Sequence, residues 1–217
     1  MAPRLTPLRR DARQDACSRH ALIATADENP RGYRRRVASL SLAMLLPSLG
    51  TSVANVALPD LAASFGAPFQ QAQWVVIGYL LAVTTLIIAS GRAGDLYGRR
   101  RVLLMAIAMF MLASACGAIA PSLWLLVVTR IAQGAGAAGM MALSMASVSD
   151  VVPPQRTGGA MGLLGTVSAI GTALGPTLGG ALIAAWGWPA VFLAMAIVGA
   201  LTLAAVYVAL PPDRPPG

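Results

Sequence analysis

Between residues 37 and 210 the sequence holds six apolar stretches, over residues 37–58, 74–90, 102–120, 125–148, 160–185 and 190–210, separated by short polar turns. A helix crosses the hydrocarbon of a bilayer with roughly 20 apolar residues, so each stretch is long enough to span. The stretches are continuous rather than alternating with polar residues, which argues for helices and against a membrane barrel. Charged residues are 11% of the chain and hydrophobic ones 57%, with mean hydropathy +0.69. A soluble domain carries about 25% charged residues, so the expected fold class is an all-α membrane protein with six transmembrane helices.

The basic residues set the expected orientation. There are sixteen arginines and no lysine, against eight acids. Nine arginines precede residue 37, four lie between spans two and three, one lies between spans four and five and one follows span six. The remaining one, Arg130, is inside span four. Bases collect on the cytoplasmic side of membrane proteins, so both termini and the turn around residues 91–101 are expected there. A pI near 11.0 in a soluble protein would point to nucleic acid, but here the arginines track topology and no nucleic-acid partner is expected. Residues 1–36 read as a disordered Arg-rich cytoplasmic tail, 37–210 as the transmembrane domain and 211–217 as a second cytoplasmic tail. No apolar run precedes Val37, as a secretory signal would require. Pro47 suggests a kink in span one, and residues 59–73 read as a loop.

Nothing in the sequence points to an enzyme, a cofactor or a metal. His20 is the only histidine, without a second ligand nearby, and Cys17 and Cys116 lie in unlike environments, one in the polar tail and one in a span. No nucleophile and base pair or phosphate loop stands out. The expected partners are the lipid bilayer and a small-molecule substrate.

Three stretches carry more specific information. The first, residues 91–103, places Gly91, Asp95, Gly98, Arg99 and Arg100 between two spans. Glycines there permit close helix approach and a tight turn, and Asp95 can pair with an arginine or with a helix N-terminus. This spacing resembles the cytoplasmic gate motif of the major facilitator superfamily, Gly-x-x-x-Asp-x-x-Gly-Arg-Arg, with Leu103 following; a plain topology anchor would account for the arginines alone. The second, Arg130-Ile-Ala-Gln133-Gly134-Ala-Gly136, resembles the helix-four motif of the same superfamily. An arginine within a span costs about 2.5 to 3.5 kcal/mol to insert, so Arg130 either faces a cavity or partner or snorkels to the interface near Trp124. In the third, Gly171, Gly175 and Gly179 share one helix face, with Pro176 and Gly180 beside them, and the pattern resembles the helix-five signature of antiporters.

Asn55-Val56-Ala57-Leu58-Pro59 is similar to the end of helix one in the fourteen-helix drug/proton antiporters. That family usually carries an Asp five residues before the Asn, where this chain has Gly50, and none of the six apolar stretches contains Asp or Glu. The resemblance implies six helices in two three-helix repeats, half of a major facilitator fold. It further implies proton-coupled efflux of drugs or other small molecules from the bacterial inner membrane, with Arg130, Gln133, Gly134 and Asn55 lining the transport cavity; the polar members serve equally well as ordinary interhelical hydrogen-bond groups. A second half, either a C-terminal transporter half or a second copy, would complete the carrier. The alternatives are a homodimeric six-helix carrier and a membrane half that binds a partner without transporting.

Overall fold

The computed structural model describes residues 30–152 and 154–210. The chain divides into residues 1–35 and residues 36–217. Of the first unit only residues 30–35 are described, as the opening turns of a helix; His20 and Cys17 lie outside the described residues. Among the described residues six helices are long and apolar enough to cross a membrane. They are α1 (Pro30–Phe65), α2 (Trp74–Tyr97), α3 (Arg99–Ala118), α4 (Leu123–Val151), α5 (Thr157–Trp186) and α6 (Trp188–Ala209). A one-turn helix, Phe69–Ala72, leads into α2, and a single 3₁₀ turn, Pro154–Arg156, leads into α5.

The helices are longer than the apolar stretches that announce them. α1 continues through Pro59 to Phe65, so the expected loop begins seven residues later than the apolar pattern suggests. Each proline forfeits one helical hydrogen bond but need not end a helix whose neighbours re-satisfy the backbone. Burial explains the extension: Ala57 and Leu61 pack with Val75, Leu123, Leu126 and Phe192 in one apolar cluster, which Phe65 and Trp188 close at its edge. Phe65 meets the Trp188 ring at 5.4 Å, and Trp188 meets Phe192 edge-on at 6.0 Å.

The expected turn over residues 91–101 is likewise a single residue. α2 runs to Tyr97 and α3 starts at Arg99, with only Gly98 between them. Gly98 has φ +96°, a region that an L side chain rarely adopts, so the chain reverses there without a loop.

α4 packs extensively on α2 and α3, while α3 also packs on α6. Its glycines face two ways. A Cβ on Gly134 would lie 2.5 Å from the Tyr79 carbonyl oxygen of α2, and one on Gly136 would lie 2.7 Å from the Ala106 carbonyl oxygen of α3. α2 and α5 are the least covered, with 22% and 17% of their most apolar windows buried, against 61% for α4.

Candidate functional site

One cluster sits at the end of the bundle where α2 turns into α3. Arg99 opens α3 with Nε and Nη2 donating to Asp95 Oδ1 of α2, at 3.2 and 3.0 Å. Its Nη1 donates to Asp150 Oδ2 and to the Ala146 carbonyl oxygen of α4, at 2.9 and 2.8 Å. One guanidinium therefore clasps the last turn of α2 and the last turns of α4. The three side chains are 32%, 64% and 54% exposed, so the ion pairs add at most about 1 kcal/mol each to stability. What the clasp supplies is geometry, since it fixes the ends of α2, α3 and α4 on one guanidinium. Gly94, buried, is the close-approach residue: a Cβ there would strike the Leu143 side chain of α4. Gly91 has nothing within 4 Å of such an atom, which corrects the expectation that it permits helix approach. Arg100 turns the other way, to α6, donating from Nη2 to the Tyr207 carbonyl oxygen at 2.9 Å and lying 5.1 Å from the Tyr207 ring.

A second cluster is buried inside the bundle. Arg130 is 1% exposed. Its Nη2 donates to the Gly50 carbonyl oxygen of α1 at 2.9 Å, its Nε to Val75 O of α2 at 3.3 Å and its Nη1 to Gln133 Oε1 at 2.6 Å. The guanidinium also lies 4.5 Å from the Tyr79 ring and 5.7 Å from Phe192. Gln133 passes the network on, its Nε2 donating to Ser114 Oγ of α3 at 2.6 Å and to Met195 Sδ of α6 at 3.5 Å. Tyr79 donates its hydroxyl to Pro47 O of α1 at 2.9 Å. Five of the six helices thus meet around one charge, which is met by carbonyls, an amide and aromatic faces rather than by a carboxylate. Arg130 neither snorkels nor lines an open cavity; it is packed shut. A Cβ on Gly50 would sit 3.3 Å from the Tyr79 hydroxyl, so the position that carries Asp in the resembling family looks directly into this cluster. Asn55 is separate, exposed and donating to Thr51 O one turn back.

The third cluster is the seam between α1 and α5. Cβ atoms on Gly171, Gly175 and Gly179 would lie 2.9 Å from Leu45 Cδ1, 2.5 Å from Ser52 Cβ and 2.5 Å from Val53 Cγ1. Gly180 stands off, with its nearest atom, Val56 Cγ1, 3.9 Å away. Pro176 has no N–H, so the carbonyl four residues earlier, Thr172 O, loses its helical donor. Ser52 Oγ of α1 donates to that carbonyl oxygen at 2.7 Å. Ser48 and Ser168 hydroxyls, 2.6 Å apart, add a second bond along the seam. Proline and serine are therefore complementary, one orphaning an acceptor that the other satisfies.

Of the site residues named from sequence, Asp95 and Arg99 fall in the first cluster, Arg130 and Gln133 in the second, and Gly171, Gly175, Pro176 and Gly179 in the third; Gly98 makes the α2–α3 turn and Gly134 packs α4 on α2, while Gly91, Arg100, Asn55 and Gly180 stand outside the clusters. Those that sequence reasoning passed over are Asp150, Tyr79, Ser52, Ser114 and Gly94. Asp150 and Tyr79 had a signal, an isolated acid at a span end and an isolated phenol within one; Ser52 and Ser114 had none beyond being small and polar.

A six-helix bundle arranged in this way has the fold of secondary membrane transporters. It matches the solved proton:xylose symporter XylE with TM-score 0.76 at 19% identity, over 85% of this chain and 46% of that one. It matches a bacterial homolog of the human lysosomal transporter Spinster with TM-score 0.74 at 20% identity, over 88% and 46%. The bundle is one half of that fold, built as two three-helix repeats, α1–α3 and α4–α6. The sequence profile of the Major Facilitator Superfamily matches residues 40–217, and the chain belongs to that superfamily, a family of transporters rather than enzymes. It is 41% identical over 164 residues to the multidrug resistance protein Stp of Mycobacterium tuberculosis (strain CDC 1551 / Oshkosh), covering 75% of this chain and 30% of that protein. It is 36% identical to the lincomycin resistance protein of Streptomyces lincolnensis, covering 91% and 41%. The riboflavin transporter RibZ of Clostridioides difficile (strain 630) is 32% identical, with 76% and 36% covered. The chain spans between 30% and 41% of the length of these curated relatives.

Proposed function

We propose that this chain is the N-terminal half-bundle of an efflux carrier for drug-like small molecules, working against a second six-helix body. The observation that carries this reading is the Arg99 clasp. An exposed ion-pair set that contributes little to stability, yet ties α2, α3 and α4 at one end of the bundle, suits a latch that opens and closes during a transport cycle. The names of the resistance proteins to which the chain is similar support efflux as the direction. The arginine distribution supports a cytoplasmic placement of the clasp and of both termini, in a bacterial inner membrane.

The second body covers α2 and α5, whose apolar windows are mostly uncovered in this bundle and face outward together with small residues of α5. It is either a C-terminal transporter half or a second copy of this chain. Transport runs in exchange for protons, as the helix-five pattern implies. The carboxylates among the described residues, Asp60, Asp95 and Asp150, are all exposed, and none lies beside Arg130.

Reconstitution of the chain into liposomes over a range of protein densities, with a cationic dye and a pH gradient, tests the reading. Flux that appears with rising density supports two copies acting as one carrier. Flux that stays flat at every density removes transport by this chain alone, and a partner half must then restore it; failure there as well leaves a membrane protein that does not transport.

A further inference from the structure

The outer faces of α3 and α6 enclose an open apolar groove of about 520 Å³, lined by Leu104, Ala108 and Met111 of α3 and by Ala200, Ala204 and Tyr207 of α6. Small residues make it: Ala108 opposes Ala200 and Ala204, one turn apart on α6, so the helices leave a furrow that larger side chains would fill. At its head lies Arg100, anchored on the Tyr207 carbonyl and ring. Arg101, exposed, stands one turn from Leu104 and Met105 on the same side of α3. From Arg100 to Met111 the helix rises about 16 Å. That is half of the roughly 30 Å hydrocarbon thickness, the depth of one leaflet.

We propose that this groove binds an anionic glycerophospholipid of the leaflet on the arginine side, with one acyl chain in the furrow and the headgroup phosphate against Arg100 and Arg101. Three observations select this occupant. The lining is apolar below the arginines, which suits a chain of methylenes. The groove's depth matches one leaflet. Arg100 at its mouth and the exposed Arg101 next to it in sequence carry charge complementary to a phosphate that has no cationic headgroup to neutralise it, and guanidinium binds phosphate oxygens in pairs. A lipid held here would brace α3 against α6 beside the clasp, since Arg99 and Arg100 are consecutive residues that point to opposite neighbours. The inference rests on the proposed topology only in assigning the cytoplasmic leaflet, and its test reads lipid retention and not flux, so either can fail alone.

The purified full chain is equilibrated in mixed micelles with equal amounts of phosphatidylglycerol and phosphatidylcholine of identical chains, and retained lipid is counted by native mass spectrometry. The wild type should retain phosphatidylglycerol over phosphatidylcholine by about fivefold or more, the contribution of one arginine near an anionic group. Arg101→Gln should abolish most of that preference. Ala204→Leu, and independently Ala200→Leu, should lower retention of phosphatidylglycerol by filling the furrow, while Arg92→Gln, exposed on α2 away from the groove, should leave it unchanged. Equal retention of the two lipids by the wild type, full retention in a folded groove-filling variant, or an equal loss with Arg92→Gln would overturn the proposal.

Discussion

Removing the Ser52 hydroxyl tests how the α1–α5 seam is built. Thr172 O has no helical donor because Pro176 lacks an N–H, and Ser52 Oγ supplies the replacement at 2.7 Å. Within a bilayer no water can take over, so Ser52→Ala leaves a carbonyl unsatisfied and should cost about 1 to 3 kcal/mol. The effect must depend on the proline. In a Pro176→Ala background residue 176 can donate to Thr172 O within α5, and the same Ser52→Ala change should then cost less than about 1 kcal/mol. The coupling in this cycle is therefore expected at about 1 to 2 kcal/mol. Folding free energies from reversible SDS titration in mixed micelles supply all four corners. Additive values, agreeing within about 0.5 kcal/mol, would show that Ser52 and Pro176 are not coupled, because independent sites behave that way.

Three further changes address the other contacts. Arg130→Met removes two good hydrogen bonds from a charged donor, worth about 1.5 to 3 kcal/mol each, and a desolvated cation–π contact of about 2 kcal/mol. It also relieves about 2.5 to 3.5 kcal/mol of insertion cost, so the same titration should show a net loss of about 2 to 5 kcal/mol; unchanged or increased stability would mean that Arg130 does not hold the helices together. Gly179→Leu places its side chain on Val53 of α1 and should destabilise by about 1 to 3 kcal/mol, whereas Gly180→Leu, whose nearest neighbour Val56 stands at ordinary contact distance, should be nearly neutral by thermal unfolding in detergent.

The six spans were legible because apolar length is a direct physical requirement of the bilayer, and that signal survives any detail of packing. Their ends were not, because Leu61 and Phe65 belong to α1 through contacts with α4 and α6 that no local pattern reveals. The glycine face at 171, 175 and 179 could be read from its four-residue period, but its partner could not, since Ser52 and Val53 lie about 120 residues away. Gly91 and Gly94 show the limit most sharply. Motif spacing singled out Gly91, yet Gly94 is the glycine that meets Leu143, and Gly91 faces open space. Asp150 joins the clasp 51 residues after Arg99, and only the return of α4 to the same end brings it there. The absence of a carboxylate at position 50 was visible in the sequence. What replaces it, a ring of carbonyls and aromatic faces around Arg130, needed the fold.

If the clasp is a working latch in a carrier, transport requires both of its carboxylates. Dye flux in proteoliposomes, driven by a pH gradient with the chain in its transport-competent assembly, compares the wild type with Asp95→Asn and Asp150→Asn at matched folding stability. Each variant should lose most of its flux, about tenfold or more, while its folding free energy changes by no more than about 1 kcal/mol per ion pair. Wild-type flux in both variants would contradict that requirement.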